Sequence, residues 1–328
     1  MSLTVKAVRI EHHGGPEVLQ FQQIELAAPH AHEVTVRHKA IGLNFIDIYF
    51  RSGLYSNALP HGLGFEAAGV VEAVGSEVRH VKVGDRVAYG QAPLGAYAQA
   101  HNVPADRVVP LPDQISYEQA AALMLKGLTC WYLLRKVHEV QAGETILFHA
   151  AAGGVGLYAC QWARTLGARL IGTASSGEKI ALAKRLGAWE VIDYSREDVV
   201  ERVKELTQGE KVSVVYDGVG KDTWEQSLDC LQARGLLVSF GNASGPVTGV
   251  NLGILAQKGS LYVTRPMLAA YVPTLADMLA ASKELFGLVL NGDIEVQIGQ
   301  RFAWEDVAQA HAELAARRTT GSTVLTLD

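Results

Sequence analysis

The chain has 328 residues, of which 48% are hydrophobic and 19% are charged, and its formal net charge is −5. This composition is typical of a folded globular protein, and the length favours two domains over one. The net negative charge disfavours a nucleic-acid-binding surface, because such surfaces carry an excess of basic residues.

The cysteine content and the N-terminal sequence indicate the compartment. The three cysteines, Cys130, Cys160 and Cys230, are widely separated and form no C-x-x-C pair, which favours buried thiols in a reducing environment. The N-terminal sequence alternates polar and apolar residues without an apolar signal-peptide segment, and no apolar run reaches the roughly 18 residues of a membrane span. We therefore expect a cytoplasmic protein with no membrane partner.

The first third of the sequence is typical of short β-strands separated by turns. Predicted strands cover residues 5–10, 34–40, 67–74 and 86–89. Ser116 and Gln119 then have the spacing of a capping box, which predicts the start of a helix at about residue 117.

Strands and helices alternate from residue 145 onward. The predicted strands are 145–149, 169–173, 191–193, 212–217, 236–240 and 261–264. One predicted helix starts at residue 154, and three others cover residues 178–186, 197–207 and 221–231. This alternation of apolar strands and helices predicts a doubly wound parallel α/β sheet. The remaining sequence predicts a helix over 273–290, a strand over 294–298, a helix over 304–316 and a strand over 323–326, and these return to the first domain.

A glycine-rich turn lies between the first strand of this sheet and the following helix. Residues 151–156 read AAGGVG, which is the dinucleotide-binding pattern G-x-G-x-x-G with Ala151 in place of the first glycine. Gly153 allows the backbone to approach a pyrophosphate, and Gly156 allows the helix to pack closely on the strand. Gly167 is expected to end the helix in the left-handed conformation. The buried face of the helix is predicted to consist of Val155, Ala159, Ala163 and Leu166.

The end of the second strand indicates which dinucleotide is bound. An NAD-binding unit carries an acidic residue there for the ribose 2′-hydroxyl, but this chain has Ala174 followed by Ser175 and Ser176. Hydroxyl groups and the nearby Lys179 suit a 2′-phosphate, whereas an acidic residue would repel it. The sequence therefore predicts NADPH, and we interpret Ala151 as widening the turn slightly to fit that cofactor.

Several separated motifs occur together in this chain, namely HHGGPEVL (12–19), NFID (44–47), RSGLY (51–55), AAAGGVG (150–156) and DTW (222–224). In this combination the chain resembles the medium-chain dehydrogenase/reductase superfamily, in its zinc-free NADPH:quinone oxidoreductase branch of the zeta-crystallin type. The resemblance extends over the whole chain. It implies a GroES-like catalytic domain over residues 1–126 and 267–328, a Rossmann NADPH-binding domain over residues 127–266, and a homodimer.

The resemblance also implies positions for the cofactor. Residues 44–49 are expected against the nicotinamide ribose, among them Asn44, Phe45, Ile46 and Asp47. Other cofactor-lining residues are Tyr132, Gly153, Gly154, Val155, Lys179, Tyr194, Phe240, Asn242 and Arg317, with Ser175 and Ser176 in the adenosine-phosphate loop. Tyr194 and Phe240 have the alternative interpretation of core aromatics, and Arg318 is the alternative to Arg317.

The positions that bind catalytic zinc in related alcohol dehydrogenases differ here. Asn44 replaces the first cysteine, and Phe65 replaces histidine in a Gly-His-Glu motif. The third-ligand segment reads LKGLT (125–129), and the four-cysteine lobe that holds a structural zinc is missing. Phenylalanine cannot bind zinc, so we expect no metal.

The function implied by this resemblance is NADPH-dependent reduction of a small quinone, by hydride or by single electrons. Asn44, Tyr49, Tyr55 and Thr129 are the candidates for lining the substrate site, although Tyr49 and Tyr55 could equally form only its apolar walls. No histidine or carboxylate stands out as a general acid. Two alternatives are an NADPH-dependent alkenal or enone reductase, and a non-catalytic NADPH-binding or RNA-binding protein of the crystallin type. The absence of a basic cluster disfavours RNA.

Overall fold

The structure is a computed structural model that describes residues 2–327. The chain forms two compact units. The first extends to residue 128 and also contains residues 272–291 and the chain from residue 296; the second contains residues 129–271 and 292–295.

The N-terminal part of the chain consists mainly of strands. Its elements are β1 (Leu3–Ile10), β2 (Gln20–Leu26), β3 (Glu33–Leu43), α1 (Phe45–Arg51), β4 (His61–Gly62), β5 (Glu66–Val74), β6 (Arg86–Tyr89), β7 (Ala100–Pro104), β8 (Val109–Pro110) and α2 (Tyr117–Tyr132). The predicted capping box at α2 is confirmed: Gln119 N donates to Ser116 Oγ over 3.1 Å, and Ser116 N donates to Gln119 Oε1 over 2.9 Å. Each polar partner satisfies a backbone amide that the helix itself leaves unpaired.

The second unit has alternating strands and helices. Its elements are β9 (Thr145–Phe148), α3 (Gly154–Thr165), β10 (Arg169–Ala174), α4 (Gly177–Arg185), β11 (Glu190–Asp193), α5 (Val199–Leu206), β12 (Val212–Asp217), α6 (Trp224–Asp229), β13 (Leu231–Ser239), α7 (Gly253–Gln257), β14 (Tyr262–Thr264) and α8 (Leu268–Tyr271). All strand pairs of this sheet are parallel, in the order β11-β10-β9-β12-β13-β14. The doubly wound prediction is confirmed.

This strand order places the binding edge of the second unit. The order reverses between β9 and β12, and ligands of such sheets bind at the carboxyl ends of the strands at this reversal. The buried core beneath it contains Leu147, Ile171, Val215 and Leu237, one from each of four neighbouring strands. These short strands are apolar because helices cover both faces of the sheet.

The C-terminal part of the chain completes the first unit with α9 (Leu275–Leu290), β15 (Ile298–Ala303), α10 (Val307–Ala315) and β16 (Ser322–Thr326). One sheet of this unit has the order β15-β16-β3-β5-β6-β8, with β7 also paired to β3, and a smaller sheet has the order β2-β1-β4. β3 lies at the centre of the larger sheet, and its residues Val34, Val36, Ile41 and Leu43 are buried in the core.

Three details of the predicted elements were wrong. The strand expected over 294–298 lies instead at β15, because the backbone of Glu295 is bonded to the Gln161 side chain through its N–H (2.7 Å) and its carbonyl (3.1 Å). The helix expected over 221–231 is shortened to α6, since Thr223 N closes a turn onto Gly220 O and Leu231 already belongs to β13. α3 is buried on all sides between Gly156 and Ala163 rather than along one face.

Candidate functional site

The phosphate turn of the second unit follows β9 and leads into α3. Gly153 is the N-cap residue of α3 and has no side chain with which to cap it, so the first-turn amides are left to an external anion. A methyl group on Gly156 would lie 2.5 Å from the Ala150 carbonyl oxygen and 2.6 Å from that of Ala151. Glycine is therefore required at 156 for close packing of helix and turn. At Gly153 the nearest atom to such a methyl group is the Ala150 oxygen at 3.1 Å, so the remaining sides are open.

Ala151 has a structural role that differs from the one predicted. Its side chain is fully buried, and a methyl group built on Gly172 of β10 would lie 2.5 Å from the Ala151 methyl carbon. The Ala151 methyl group thus occupies space that the neighbouring strand leaves free by having glycine there. The interpretation that Ala151 widens the turn toward the cofactor was wrong, because this methyl group points into the sheet.

The carboxyl end of β10 carries the residues predicted for the 2′-phosphate. Ser176 is the N-cap of α4, and its hydroxyl accepts a hydrogen bond from Lys179 N over 3.4 Å. The backbone N–H of Tyr194, just after β11, donates to the Ala174 carbonyl over 3.1 Å. Because the Tyr194 side chain is 48% exposed, the alternative that it is a core aromatic was wrong.

The other predicted cofactor residues of the second unit, and the predicted substrate-lining residue Thr129, lie in three places. Gly154 and Val155 form the first turn of α3. Phe240 follows β13, with its ring centroid 5.5 Å from that of Phe148, and Asn242 belongs to the same loop. Thr129 and Tyr132 are in the last turn of α2, where the Tyr132 ring stacks on Tyr271 with centroids 5.0 Å apart.

The predicted residues of the first unit are organised by the start of α1. Asn44 is its N-cap, and its N–H donates to Asp47 Oδ2 over 2.9 Å. The Asn44 side-chain amide donates to Glu66 Oε2 over 2.8 Å, which fixes the orientation of that amide. Phe45 and Ile46 are half-buried in the first turn of the helix.

Sequence reasoning missed Lys126 as a member of this cluster. Lys126 Nζ lies 3.3 Å from Glu66 Oε2, and both side chains are buried. Glu66 Oε1 also accepts from the backbone N–H of Leu125 over 2.6 Å. The available signal was one lysine inside the apolar segment ALMLKGL (122–128), since a buried lysine requires a charged partner.

These side chains do not fit a zinc ion. Phe65 offers no donor atom, and the Glu66 carboxylate already accepts hydrogen bonds from Asn44, Leu125 and Lys126. The Lys126 ammonium next to that carboxylate would repel a divalent cation. Within residues 2–327, no group of three or more histidine, cysteine or acidic side chains could hold a metal.

An aromatic cluster covers the next turn of α1. The Tyr49 ring packs edge-on against Tyr55 with centroids 5.2 Å apart, and Phe50 contacts both Tyr55 (5.6 Å) and Phe65 (5.3 Å). Tyr49 is buried and Tyr55 is half-buried. The two tyrosines predicted to face the substrate are therefore brought together, with Phe65 in the same cluster.

A buried hydrogen-bond chain supports the same helix from the other side. Asp47 Oδ2 accepts from the Tyr97 hydroxyl over 2.9 Å, the Tyr97 oxygen lies 3.0 Å from His311 Nε2, and Arg51 Nη1 lies 2.9 Å from His311 Nδ1. Burial raises the pKa of Asp47 to about 7 and lowers the pKa of His311 to about 3. Asp47 Oδ1 is buried without a hydrogen-bond partner among the described residues.

Arg317 lies just after α10, in the left-handed conformation with φ +59°. Its neighbour Arg318 is held by two hydrogen bonds to the Glu313 carboxylate, at 2.6 and 2.7 Å. Most of the predicted residues thus lie either around α1 in the first unit or at the carboxyl edge of the sheet in the second, while Thr129 and Tyr132 lie in α2 and Arg317 follows α10.

Comparisons with known proteins identify the family. Residues 30–113 match the alcohol dehydrogenase GroES-like domain, and residues 154–281 match the zinc-binding dehydrogenase domain. The chain is 64% identical to a quinone oxidoreductase of Pseudomonas aeruginosa, over 98% of this chain and 99% of the relative. The chain belongs to the medium-chain dehydrogenase/reductase family.

Two further members of the family show the extent of the likeness. Quinone oxidoreductase 1 of Escherichia coli is 59% identical over 97% of this chain and 99% of its own. The crystal structure of the Escherichia coli quinone oxidoreductase complexed with NADPH superimposes with a TM-score of 0.97 at 57% identity, covering 98% of this chain and all of that one. The resemblance inferred from the sequence motifs is confirmed, as are the GroES-like and Rossmann folds.

Proposed function

We propose that this protein catalyses NADPH-dependent reduction of quinones without zinc. The observation that carries the proposal is the structural likeness, over 98% of this chain, to a quinone oxidoreductase whose crystal structure is an NADPH complex. The phosphate turn of this chain is also open at Gly153. The overall reaction converts a quinone, NADPH and a proton into a hydroquinone and NADP⁺. Bound NADPH would supply the hydride or the electrons, while the protein binds and orients the quinone, excludes water and stabilises developing charge.

Most of the residues proposed to hold the cofactor belong to the second unit. The amides of the α3 first turn, including those of Gly154 and Val155, suit the pyrophosphate, and Gly153 leaves room for it. Ser175, Ser176 and Lys179 suit the 2′-phosphate, because no acidic residue ends β10. We assign Tyr194, Phe240 and Asn242, which follow β11 and β13, to the adenosine and nicotinamide contacts, together with Tyr132 and Arg317.

Most of the groups proposed to face the quinone belong to the first unit. Asn44, held by Glu66, presents a fixed amide, and Lys126 adds a positive charge 3.3 Å from the same carboxylate. A positive charge in a buried cluster favours the negative charge that develops on a quinone oxygen. Tyr49 and Tyr55 offer ring faces and edges to a flat substrate, and Thr129 is retained as a further lining residue.

The protein is proposed to act as a cytoplasmic homodimer. β14 is an edge strand of its sheet, with Tyr262 61% and Met267 68% exposed. A second copy of the chain adding its own β14 would pair the open backbone and cover these apolar side chains. The free thiols of all three cysteines support a reducing compartment. Among the described residues no helix is long and apolar enough to cross a membrane.

The test of the proposed function is steady-state turnover with benzoquinone, a short enone and ethanol. We expect NADPH oxidation with the quinone and negligible alcohol oxidation with NADP⁺, because no metal would lower the pKa of the alcohol. Faster turnover of the enone than of any quinone would favour an alkenal reductase, and no turnover would favour a binding protein.

Cofactor preference is tested by Lys179→Ala. Loss of a charge-assisted hydrogen bond of about 1.5–3 kcal/mol should weaken NADPH binding about 10- to 100-fold and leave NADH binding unchanged. The matched control is Lys184→Ala, on the same helix near its other end. Equal use of NADPH and NADH by the unmodified enzyme would contradict the proposed preference.

A further inference from the structure

A chain of buried hydrogen bonds lies directly beneath the phosphate turn. Ala150 N donates to Thr173 Oγ1 over 3.1 Å, and Thr173 Oγ1 lies 3.2 Å from His149 Nδ1. His149 Nε2 lies 3.0 Å from Ser227 Oγ, which donates to Asp217 Oδ2 over 2.7 Å. The side chains of Thr173, His149, Ser227 and Asp217 are each at most 2% exposed. None of them belongs to the residues proposed above to touch the cofactor or the quinone.

The partners fix the direction of every hydrogen bond in this chain. The Asp217 carboxylate only accepts, so the Ser227 hydroxyl proton is committed to it, and the Ser227 oxygen must accept from His149 Nε2–H. Neutral His149 then has an unprotonated Nδ1, which accepts the hydroxyl proton of Thr173. The Thr173 oxygen is left to accept from the Ala150 amide. Burial lowers the pKa of His149, which is consistent with the neutral ring that this arrangement requires.

Asp217, at the end of this hydrogen-bond chain away from the phosphate turn, organises a second loop. Asp217 Oδ1 accepts from Val219 N over 2.8 Å and from Gly220 N over 3.0 Å, and Oδ2 also accepts from the Thr223 hydroxyl over 2.7 Å. This loop, which follows β12, is bonded in turn to the loop after β13 through Ala243 N and Gly218 O at 3.2 Å. The hydrogen bonds therefore connect the carboxyl ends of β9, β10, β12 and β13.

Ala150, at the end of this hydrogen-bond chain next to the phosphate turn, is a strained residue. Ala150 has φ +55°, a left-handed conformation that is unfavourable for any residue with a side chain. Its carbonyl oxygen accepts from Gly153 N over 2.9 Å and closes the phosphate turn. The Thr173 hydroxyl bonds the Ala150 amide, so it holds the residue from which the turn is built.

We propose that Thr173, His149, Ser227 and Asp217 are positioning residues that hold the phosphate turn in its pyrophosphate-binding shape. This inference rests on the proposed NADPH binding. Buried polar groups without this role would need hydrogen bonds only to their nearest neighbours. These four side chains instead form one continuous, oriented series of hydrogen bonds that runs from the Ala150 amide to the neighbouring loops. In a low-dielectric interior such series are strengthened by mutual polarisation.

The main test compares Thr173→Val with Thr173→Ser. Valine keeps the shape but removes the hydroxyl, whereas serine keeps the hydroxyl. The dissociation constant is measured for NADPH and for adenosine 2′-monophosphate, which carries the 2′-phosphate but no pyrophosphate. We expect Thr173→Val to weaken NADPH about 5- to 10-fold and to leave adenosine 2′-monophosphate unchanged. KM for NADPH should rise in parallel with little change in kcat, and Thr173→Ser should restore binding to within about 2-fold.

Ser227→Ala provides a second, independent break in the chain. It should weaken NADPH binding about 2- to 5-fold, and combining it with Thr173→Val should weaken binding by less than the product of the single effects, because the chain is already broken. Unchanged NADPH binding in either single variant would overturn the inference, as would equal loss of both ligands, which indicates general loosening of β10. Failure of the unmodified protein to bind NADPH would instead overturn the proposed function.

Discussion

Ala151 in the phosphate turn and Gly172 on β10 illustrate compensation between two residues that are distant in the sequence. A methyl group on Gly172 would lie 2.5 Å from that of Ala151, while its other neighbours are no closer than 3.5 Å. We expect Gly172→Ala to lower the free energy of unfolding by about 1–3 kcal/mol through overpacking. In the Ala151→Gly background the same substitution should cost much less. Denaturant unfolding of the four proteins measures this coupling, and additive effects would contradict it.

Asp47 links pH to stability in the first unit. Its pKa is raised from 3.8 to about 7, mainly by burial, despite hydrogen bonds from Asn44 N and Tyr97 and the nearby Lys126; Glu66 adds to the rise. Between these two values the folded state retains a proton that the unfolded state releases. The contribution of Asp47 to stability therefore falls as pH rises from about 4 to about 7 and then levels off.

Asp47→Asn should remove this dependence. The amide oxygen can accept the two hydrogen bonds of Oδ2, and the amide nitrogen replaces the unpartnered Oδ1. Relative to the unmodified protein, the variant should gain up to about 4 kcal/mol between pH 4 and pH 8. Urea unfolding at pH 4, 5, 6, 7 and 8 tests this, because buried His38 and His311 contribute the same pH dependence to both proteins and cancel in the comparison. Parallel stability curves would show that Asp47 does not titrate in this range.

At the scale of the element, two glycines of the phosphate turn have different roles: Gly156 is required for packing, and Gly153 is proposed to leave room for the cofactor. Gly156→Ala would place a methyl group within 2.6 Å of two backbone oxygens, so both stability and NADPH binding should fall. Gly153→Ala meets only one atom, at 3.1 Å, and its φ of −78° suits alanine. This variant should keep its stability within about 0.5 kcal/mol but bind NADPH more weakly. Loss of stability at 153, or normal NADPH binding by both variants, would refute this division.

At the scale of the whole molecule, the exposed edge of the second unit governs the proposed dimer. Val263 lies in β14 and is 38% exposed, and a glutamate there would repel its symmetry mate and be desolvated by pairing. We expect Val263→Glu to be monomeric by sedimentation at concentrations where the unmodified chain is a dimer. Val83→Glu, at an exposed turn of the first unit, is the matched control and should remain dimeric. A dimeric Val263→Glu protein would place the interface elsewhere.

Much of the fold could be predicted because its signals are local. The strand, turn and helix at 145–165, the capping box at Ser116, and the left-handed Gly167 (φ +72°) each depend on residues within a few positions of one another. Hydrophobic periodicity and capping chemistry report directly on such elements. The cofactor residues that end β9 and β10 were found for the same reason, although their contacts with NADPH stay a prediction.

The sequence by itself determined the alternation of strands and helices in the second unit, the phosphate turn and the loss of zinc-binding side chains. Only the tertiary structure decided what lies against them. Lys126 meets Glu66 across 60 positions, His311 meets Tyr97 across 214, and Gln161 redirects the chain at Glu295 across 134. The packing of the Ala151 methyl group likewise depends on a glycine in β10, 21 positions further along the chain. Such contacts leave no periodic pattern in the sequence, because packing and buried hydrogen bonds pair residues by position in space rather than by separation along the chain.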